Sequence, residues 1–220
     1  GQKTAHKGHF EVMSYISVSG EHVTEKVIER SRFITTSAHA EGEEEARAFV
    51  ARVSAKYKDA THNCYAYIAD SVGNFPRFSD DGEPSGTAGM PMLEVIKNKK
   101  LFCTAVVVTR YFGGIKLGAG GLVRAYSGCV AENLDGAAKL LYMPCEESAY
   151  TVGYESADLC SRFFSQNDCE VKNTEYSSEV TFTVAVKKEL AEKFNAALFD
   201  RLNGRLSVQK LREYMCGFKI

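Results

Sequence analysis

The sequence has almost no net charge and no long apolar run. Its formal net charge is −1 and 25% of its residues are charged, which excludes a basic nucleic-acid arm and an acidic tail. Any contact with nucleic acid would therefore need a local patch of cations. No apolar run approaches the length of a membrane span, and we identify no signal-peptide core before the first predicted strand. We therefore expect no association with a membrane.

The sequence also lacks the cysteine spacing of a zinc site or of a secreted disulfide framework. Its seven cysteines stand at scattered positions and none forms a C-x-x-C motif. Cysteines of this kind are typical of a reduced compartment. We therefore predict a cytoplasmic protein that has neither a metal nor a cofactor.

The most informative stretch of the chain runs from residue 104 to residue 136. Residues 105–108 are all apolar, which is typical of a strand buried on both faces. Apolar residues then recur every three or four positions from 122 to 134, which predicts a helix that ends near Gly136. Five glycines lie between the strand and the periodic segment: Gly113, Gly114, Gly118, Gly120 and Gly121.

A strand, a glycine-rich turn and a helix in this order can form an anion site, because free backbone N–H groups point from the positive end of the helix. Arg110, Lys116 and Arg124 add three cations at the same turn. We predict that these cations and the five glycines bind phosphate or nucleic acid. A structural interpretation is equally good, since glycines permit positive φ and close backbone packing.

Two widespread phosphate-binding motifs do not match this turn. A P-loop needs Gly-Lys followed by Ser or Thr, whereas Lys116 is followed by Leu117. A Rossmann turn needs a third glycine three residues after Gly120, where this sequence has Val123. The sequence therefore disfavours an ATPase and a dinucleotide-binding enzyme.

His62 and Cys64 are candidates for acid–base or thiol chemistry. On a strand, alternate side chains project to the same face, so the imidazole and the thiol could meet as a base and a nucleophile. Such an enzyme also needs an orienting group and an oxyanion hole, and the sequence specifies neither. Packing roles are more common for both residue types. We therefore assign no catalytic residue.

The loop from residue 78 to residue 89 holds three carboxylates within four residues. They could bind a divalent cation, but their spacing matches no calcium-binding loop. The alternative is that Asp80 and Asp81 brace the turn while Ser85 and Thr87 cap the following helix. The loop is also rich in Gly, Ser and Thr, which favours a role as a groove wall. The residues predicted for that wall are Asp80, Asp81, Glu83, Ser85 and Thr87.

After Gly136 the pattern of strands and helices starts again, and we place a domain boundary near residues 140–144. The predicted order is β-α-β-β-α-β, which is that of a ferredoxin-like fold. The elements of this half are predicted at 144–154, 156–166, 169–176, 179–186, 190–202 and 204–211. In the first half we predict strands at 15–18, 22–28, 32–40 and 60–69, helices at 41–57 and 91–99, and a loop at 70–89.

Four segments together resemble the IMPACT family, the group called YigZ in bacteria. They are RFITTSAHA, ATHNCYAYIAD, RFSDDGEPSGTAGMPML and VVVTRYFGGIKLGAGGLVRAYSG, and the match spans about residues 31–135. The C-terminal part matches only in length and strand order. Residues 1–12 lie outside the match, and we interpret them as an added leader.

The resemblance implies an α+β protein with two domains. Residues 13–141 are expected to adopt the ribosomal protein S5 domain 2-like fold. Residues 142–220 are expected to be ferredoxin-like, similar to the last domain of elongation factor G. Eukaryotic relatives regulate translation by competing for a partner protein in the amino-acid starvation kinase pathway. The resemblance therefore implies that the partner is RNA, the ribosome or a translation-associated protein.

These observations leave three hypotheses about function. The leading one is a cytoplasmic, non-catalytic protein associated with translation or its regulation, which contacts RNA or an acidic partner through the glycine-rich turn. The alternative is an enzyme acting on a phosphorylated or nucleotide-like small molecule, with His62 and the three carboxylates as its chemical groups. The third is a protein-interaction module, which predicts an exposed apolar patch on the C-terminal sheet.

Overall fold

The computed structural model of the chain describes residues 14–220. These residues form two compact units, of which the first comprises residues 14–141 with 218–220 and the second comprises Tyr142–Gly217. The leader predicted at residues 1–12 lies outside the described residues. No helix in the described part of the chain combines the length and apolar character needed to span a bilayer.

The first unit is built around an antiparallel sheet in the order β2-β3-β6-β4-β5. Its helices are α1 (Glu43–Lys56), α2 (Gly89–Asn98) and α3 (Gly118–Gly136). Its strands are β1 (Tyr15–Val18), β2 (Glu21–Ile28), β3 (Ser31–His39), β4 (His62–Ile68), β5 (Pro76–Ser79) and β6 (Thr104–Tyr111).

The central strand β6 is buried on both faces of this sheet. Val106 and Val108 pack in one core with α2 and α3, whereas Ala105 and Val107 pack in a second core with α1. Successive strand residues point to opposite faces, so a strand covered by helices on both sides must be apolar throughout. This explains the unbroken apolar run in the sequence. The glycine-rich turn begins where this buried strand ends.

The second unit has the element order β-α-β-β-α-β, with sheet neighbours in the order β8-β9-β7-β10. Its helices are α4 (Tyr154–Gln166) and α5 (Lys188–Arg201), and its strands are β7 (Lys139–Val152), β8 (Cys169–Tyr176), β9 (Val180–Lys187) and β10 (Ser207–Lys219). An aromatic cluster fills its core: Tyr150, Phe163, Phe164, Phe182 and Phe194. The α+β class and the ferredoxin-like order are thereby confirmed.

Two predicted segments differ from the structure in the region of the candidate site. The predicted loop at 70–89 contains β5, which pairs with β4 through a register that no local pattern reveals. Helix α3 begins at Gly118 rather than near residue 122. Gly118, Gly120 and Gly121 therefore form the first helical turn. Glycine has low intrinsic helix propensity, so the sequence pattern places this boundary too late.

Candidate functional site

The N-terminus of α3 leaves backbone N–H groups available at the end of a 19-residue helix. Its N-cap residue is Leu117, which makes no side-chain capping bond, and its first turn contains no acidic residue. The first N–H groups of a helix have no partner within the helix and carry its positive dipole end. This helix end is therefore suited to an anion.

The five glycines of the segment do not all have the same purpose. A Cβ atom at Gly113 would lie 2.0 Å from the Arg30 carbonyl oxygen, so no other residue fits there. Gly114 and Gly118 have φ of 88° and 70°, which side-chain-bearing residues rarely adopt. At Gly120 a Cβ atom would meet only Arg124 Nη1, at 3.4 Å. The fold therefore requires glycine at positions 113, 114 and 118, but it does not require glycine at position 120.

A shallow, open pocket of about 450 Å³ lies beside this helix end. Both Lys116 and Arg124 line it and are exposed, and neither forms an ion pair within the part of the chain that the structure describes. The pocket is lined by Ile28, Glu29, Ile115, Lys116, Leu117, Gly121, Arg124 and Ala125. Glu29 supplies a carboxylate to the lining, but it makes no ion pair with either cation. The pocket thus combines two cations with the positive end of a helix.

Arg110 does not join Lys116 and Arg124, contrary to expectation. Its side chain is buried, and its Nη1 donates to Glu83 Oε1 at 2.7 Å while its Nη2 donates to Ser31 Oγ at 3.2 Å. The guanidinium also lies 5.5 Å from the ring centre of Phe33 and 5.4 Å from that of Phe112. The charge of Arg110 is neutralised inside the protein. Arg110 is therefore not part of the anion site.

Glu83 is likewise a core residue and not a groove wall. Its side chain is only 3% exposed, and its Oε1 accepts a second hydrogen bond from the Tyr126 hydroxyl at 2.7 Å. Arg110 is the penultimate residue of β6 and Tyr126 lies on α3, so Glu83 joins the two elements that flank the glycine-rich turn. No motif in the sequence identifies Tyr126 as a polar partner. The only indication was a hydroxyl on an otherwise apolar helical stripe.

Asp80 braces its loop by accepting backbone hydrogen bonds at the start of α2. Its donors are the N–H groups of Gly86 at 2.9 Å, Ala88 at 3.0 Å and Gly89 at 2.8 Å. Burial, the largest single influence, raises the pKa of Asp80, but these three donors together lower the pKa below its ordinary value. Asp81 also has a bracing role, since its carboxylate accepts from the Asn63 N–H at 2.6 Å.

The helix cap predicted at Ser85 and Thr87 is provided by Asp80 instead. The Thr87 hydroxyl donates to the Pro84 carbonyl at 2.6 Å, and Ser85 is exposed. The N-cap residue of α2 is Ala88, which has no side-chain acceptor. The Asp80 carboxylate, eight residues before Ala88, therefore caps α2, because the loop folds back onto the start of the helix.

His62 and Cys64 are held by separate partners. Nδ1 of His62 lies 2.7 Å from the Asp81 carbonyl, and Nε2 lies 3.7 Å from Glu83 Oε2. The Cys64 thiol donates to the Asp80 carbonyl at 3.0 Å and contacts the Tyr126 hydroxyl at 3.4 Å. Burial raises the pKa of Cys64 to about 12, so its thiol stays protonated. The arrangement is structural and lacks the imidazole–thiol contact of a nucleophile and its base.

Two family models match the chain in these same units. The Impact N-terminal domain matches residues 29–134, which include the glycine-rich turn with Lys116 and Arg124, and a domain of unknown function, DUF1949, matches residues 151–205. The described residues hold no cluster of three or more His, Cys, Asp or Glu that could bind a metal.

Similar proteins cover nearly the full length of the chain. It is 39% identical to the IMPACT family member YvyE of Bacillus subtilis over 90% of the chain and 91% of the relative. It is 38% identical to the IMPACT family member YigZ of Escherichia coli over 84% and 92%. A solved structure described as "Crystal structure of an hypothetical protein" has a TM-score of 0.62 and 35% identity over 90% of this chain and 98% of that one. This chain belongs to the IMPACT family.

Proposed function

We propose that this chain is a cytoplasmic, non-catalytic binding protein associated with translation or its regulation, and that it contacts RNA phosphate through the N-terminus of α3. The observation that carries the proposal is the pair of cations, Lys116 and Arg124, which have no acidic partner among residues 14–220 and lie beside an uncapped helix end. A cation near the positive end of a helix is unfavourable unless an anion lies between them. The link to translation rests on the resemblance to eukaryotic IMPACT proteins.

The shape of the pocket favours a polymer over a small molecule. Small-molecule sites usually enclose most of the ligand surface, whereas this pocket is shallow and open to solvent. A phosphate of an RNA backbone can contact such a surface and continue beyond it on both sides. Arg124 can bind the phosphate oxygens in a bidentate manner, and Lys116 can add a point charge.

The groups on which an enzyme would depend are used by the fold. Glu83 is bound to Arg110 and Tyr126, Asp80 holds the start of α2, and Cys64 donates to a carbonyl. None of them lines the open pocket, and Glu29 supplies the one carboxylate among the described residues that line it. The geometry therefore favours binding over acid–base chemistry at this site.

The test is a titration of a single-stranded RNA with the wild type and with the double variant Lys116→Ala/Arg124→Ala over a salt series. We expect wild-type affinity to fall as salt rises, because bound phosphate releases counterions. The double variant should bind at least about tenfold more weakly at low salt and should show a flatter salt dependence.

The matched control is Arg47→Ala/Lys56→Ala, which removes the same two residue types from α1 on the other face of the sheet. This control should bind RNA as the wild type does. Equal affinity of the wild type and the Lys116/Arg124 variant would overturn the proposal. If only binding to polyglutamate is lost in that variant, the site recognises an acidic protein surface instead of RNA.

A further inference from the structure

Two cysteines of the second unit lie on neighbouring strands, and the contacts around them show how they align. Strands β7 and β10 pair in the sheet. Glu147 on β7 accepts hydrogen bonds from Arg212 at 3.0 Å and from the Tyr214 hydroxyl at 3.1 Å, both on β10. Two residues back from Glu147 is Cys145, and two residues forward from Tyr214 is Cys216. Alternate residues of a strand point to the same face, so Cys145 and Cys216 lie on the face that carries Glu147, Arg212 and Tyr214.

The two cysteines are also close neighbours, since the Cys216 side chain is among the groups that raise the pKa of Cys145. A disulfide needs a Cα separation of about 4.4–6.8 Å, a range that includes the spacing of about 4.7–4.9 Å between neighbouring strands of a sheet.

The two thiols differ in their access to solvent. Cys145 is 1% exposed, whereas Cys216 is half-buried. A reagent in solution therefore reaches Cys216 first. The other half-buried cysteine, Cys169, donates its thiol to the Phe164 carbonyl at 3.3 Å. Cys169 therefore serves as a control of similar accessibility.

We propose that Cys145 and Cys216 are a redox-sensitive pair that a peroxide converts to a disulfide between β7 and β10. The Cys216 thiolate attacks one oxygen of hydrogen peroxide, the O–O bond breaks, and Cys216 sulfenic acid and hydroxide form. The Cys145 sulfur then attacks the Cys216 sulfur, and the S–O bond breaks. The departing hydroxide takes the Cys145 proton and leaves as water. In total, two thiols are oxidised to one disulfide, and one peroxide is reduced to two waters.

The different surroundings assign different roles to the two cysteines. Burial and the neighbouring Cys216 thiol raise the pKa of Cys145 to about 12. Cys145 therefore stays a protonated thiol and does not react with peroxide by itself. It resolves the sulfenic acid because Cys216 is its neighbour on the adjacent strand. This inference does not use the α3 site or its ligand.

The experiment treats the reduced full chain with one equivalent of hydrogen peroxide and then alkylates all free thiols in denaturant. We expect the chain to lose two hydrogens in mass and two of its seven thiols. Digestion with trypsin and a glutamate-specific protease should release a cross-linked pair of peptides that contain Cys145 and Cys216. The second protease is needed because Glu146, Glu147 and Glu155 separate Cys145 from Cys160.

Three variants complete the test. Cys145→Ser should accumulate sulfenic acid at Cys216, which dimedone traps, and Cys216→Ser should form no disulfide. Cys169→Ser should form the Cys145–Cys216 disulfide as the wild type does. Peptide mapping of the wild type shows whether Cys145 and Cys216 form the disulfide, even if a variant fails to fold. The proposal is overturned if Cys216 proceeds to sulfinic acid while Cys145 remains a thiol, or if the disulfide joins other cysteines.

Discussion

The Arg110 guanidinium and the Glu83 carboxylate form an ion pair whose side chains are 5% and 3% exposed. A buried charge that loses its partner retains the desolvation penalty without the attraction that offset it. We therefore predict that Arg110→Ala destabilises the first unit by about 3–5 kcal/mol. Chemical unfolding followed by circular dichroism measures this loss.

The matched control for this prediction is Arg47→Ala, which breaks the exposed ion pair with Glu43. It should change the free energy of unfolding by less than about 1 kcal/mol, because exposed pairs contribute little. The double variant Arg110→Met/Glu83→Gln should be more stable than Arg110→Ala, since it leaves no buried charge unpaired. Equal destabilisation by Arg110→Ala and Arg47→Ala would show that the buried pair is not important for stability.

Asp80 gives a second prediction at the residue scale, on pH dependence. Its pKa in the folded protein lies below the ordinary value of 3.8, so its charged form stabilises the fold. This stabilisation is fully present above pH 3.8 and is lost as the pH falls through the lower pKa of the folded state. Asp80→Asn should therefore destabilise the first unit by about 1 kcal/mol at pH 7 and by less near pH 3.

Free energies of unfolding at the two pH values check this prediction. Ser85→Ala is the control, because the exposed Ser85 does not cap α2 and its removal should have no effect. An equal loss for Asp80→Asn at pH 7 and pH 3 would show that the charge of Asp80 contributes nothing.

Helix α3 is the element on which the proposed function depends. A substitution at Gly120 should change the stability of this helix and its affinity for RNA in opposite directions. Alanine at this position should stabilise the helix by about 0.5–1 kcal/mol, because glycine is a poor helix former. The new methyl group would meet Arg124 Nη1, which lies 3.4 Å from the position of the added Cβ. We therefore predict that Gly120→Ala raises the unfolding midpoint and weakens RNA binding several-fold.

Gly128→Ala is the matched control, since Gly128 lies in the same helix and an added Cβ atom would meet nothing within 4 Å. It should give a similar gain in stability and leave RNA affinity unchanged. If both alanine variants bind RNA as the wild type does, the first turn of α3 is not the binding surface.

At the scale of elements, hydrophobic periodicity predicted the helices and strands whose apolar pattern is regular along the sequence. The alternation in β9 and the apolar stripe of α3 identified those elements, because one face of each packs on a core. The boundary at Gly118 and the strand β5 could not be predicted in this way. The first depends on a helix that begins with poor helix formers, and the second on pairing with β4.

The candidate site was harder to predict than the fold for a physical reason. Arg110 and Lys116 are both cations at the same turn of the sequence. Only a folded chain brings Glu83 to Arg110 and leaves Lys116 without an acidic partner among the described residues. The neutralisation of Arg110 depends on its contact with Glu83, which lies 27 positions away in the sequence. Sequence motifs located the turn, and the structure selected its two available cations.

At the scale of the whole molecule, the net charge of −1 provides no long-range attraction for RNA, so the salt dependence of binding reflects the number of local cations that contact phosphate. A nearly neutral protein attracts RNA only through its local cations, and the proposed site provides Lys116 and Arg124. Each neutralised phosphate of a single strand contributes a slope of about −0.7 to the plot of log affinity against log salt. We therefore predict a slope of about −1.4 for single-stranded RNA. Fluorescence anisotropy at several salt concentrations measures this slope, and the Lys116→Ala/Arg124→Ala variant should bring it close to zero. A slope that stays steep in the variant would show that cations elsewhere in the chain, and not those of α3, hold the RNA.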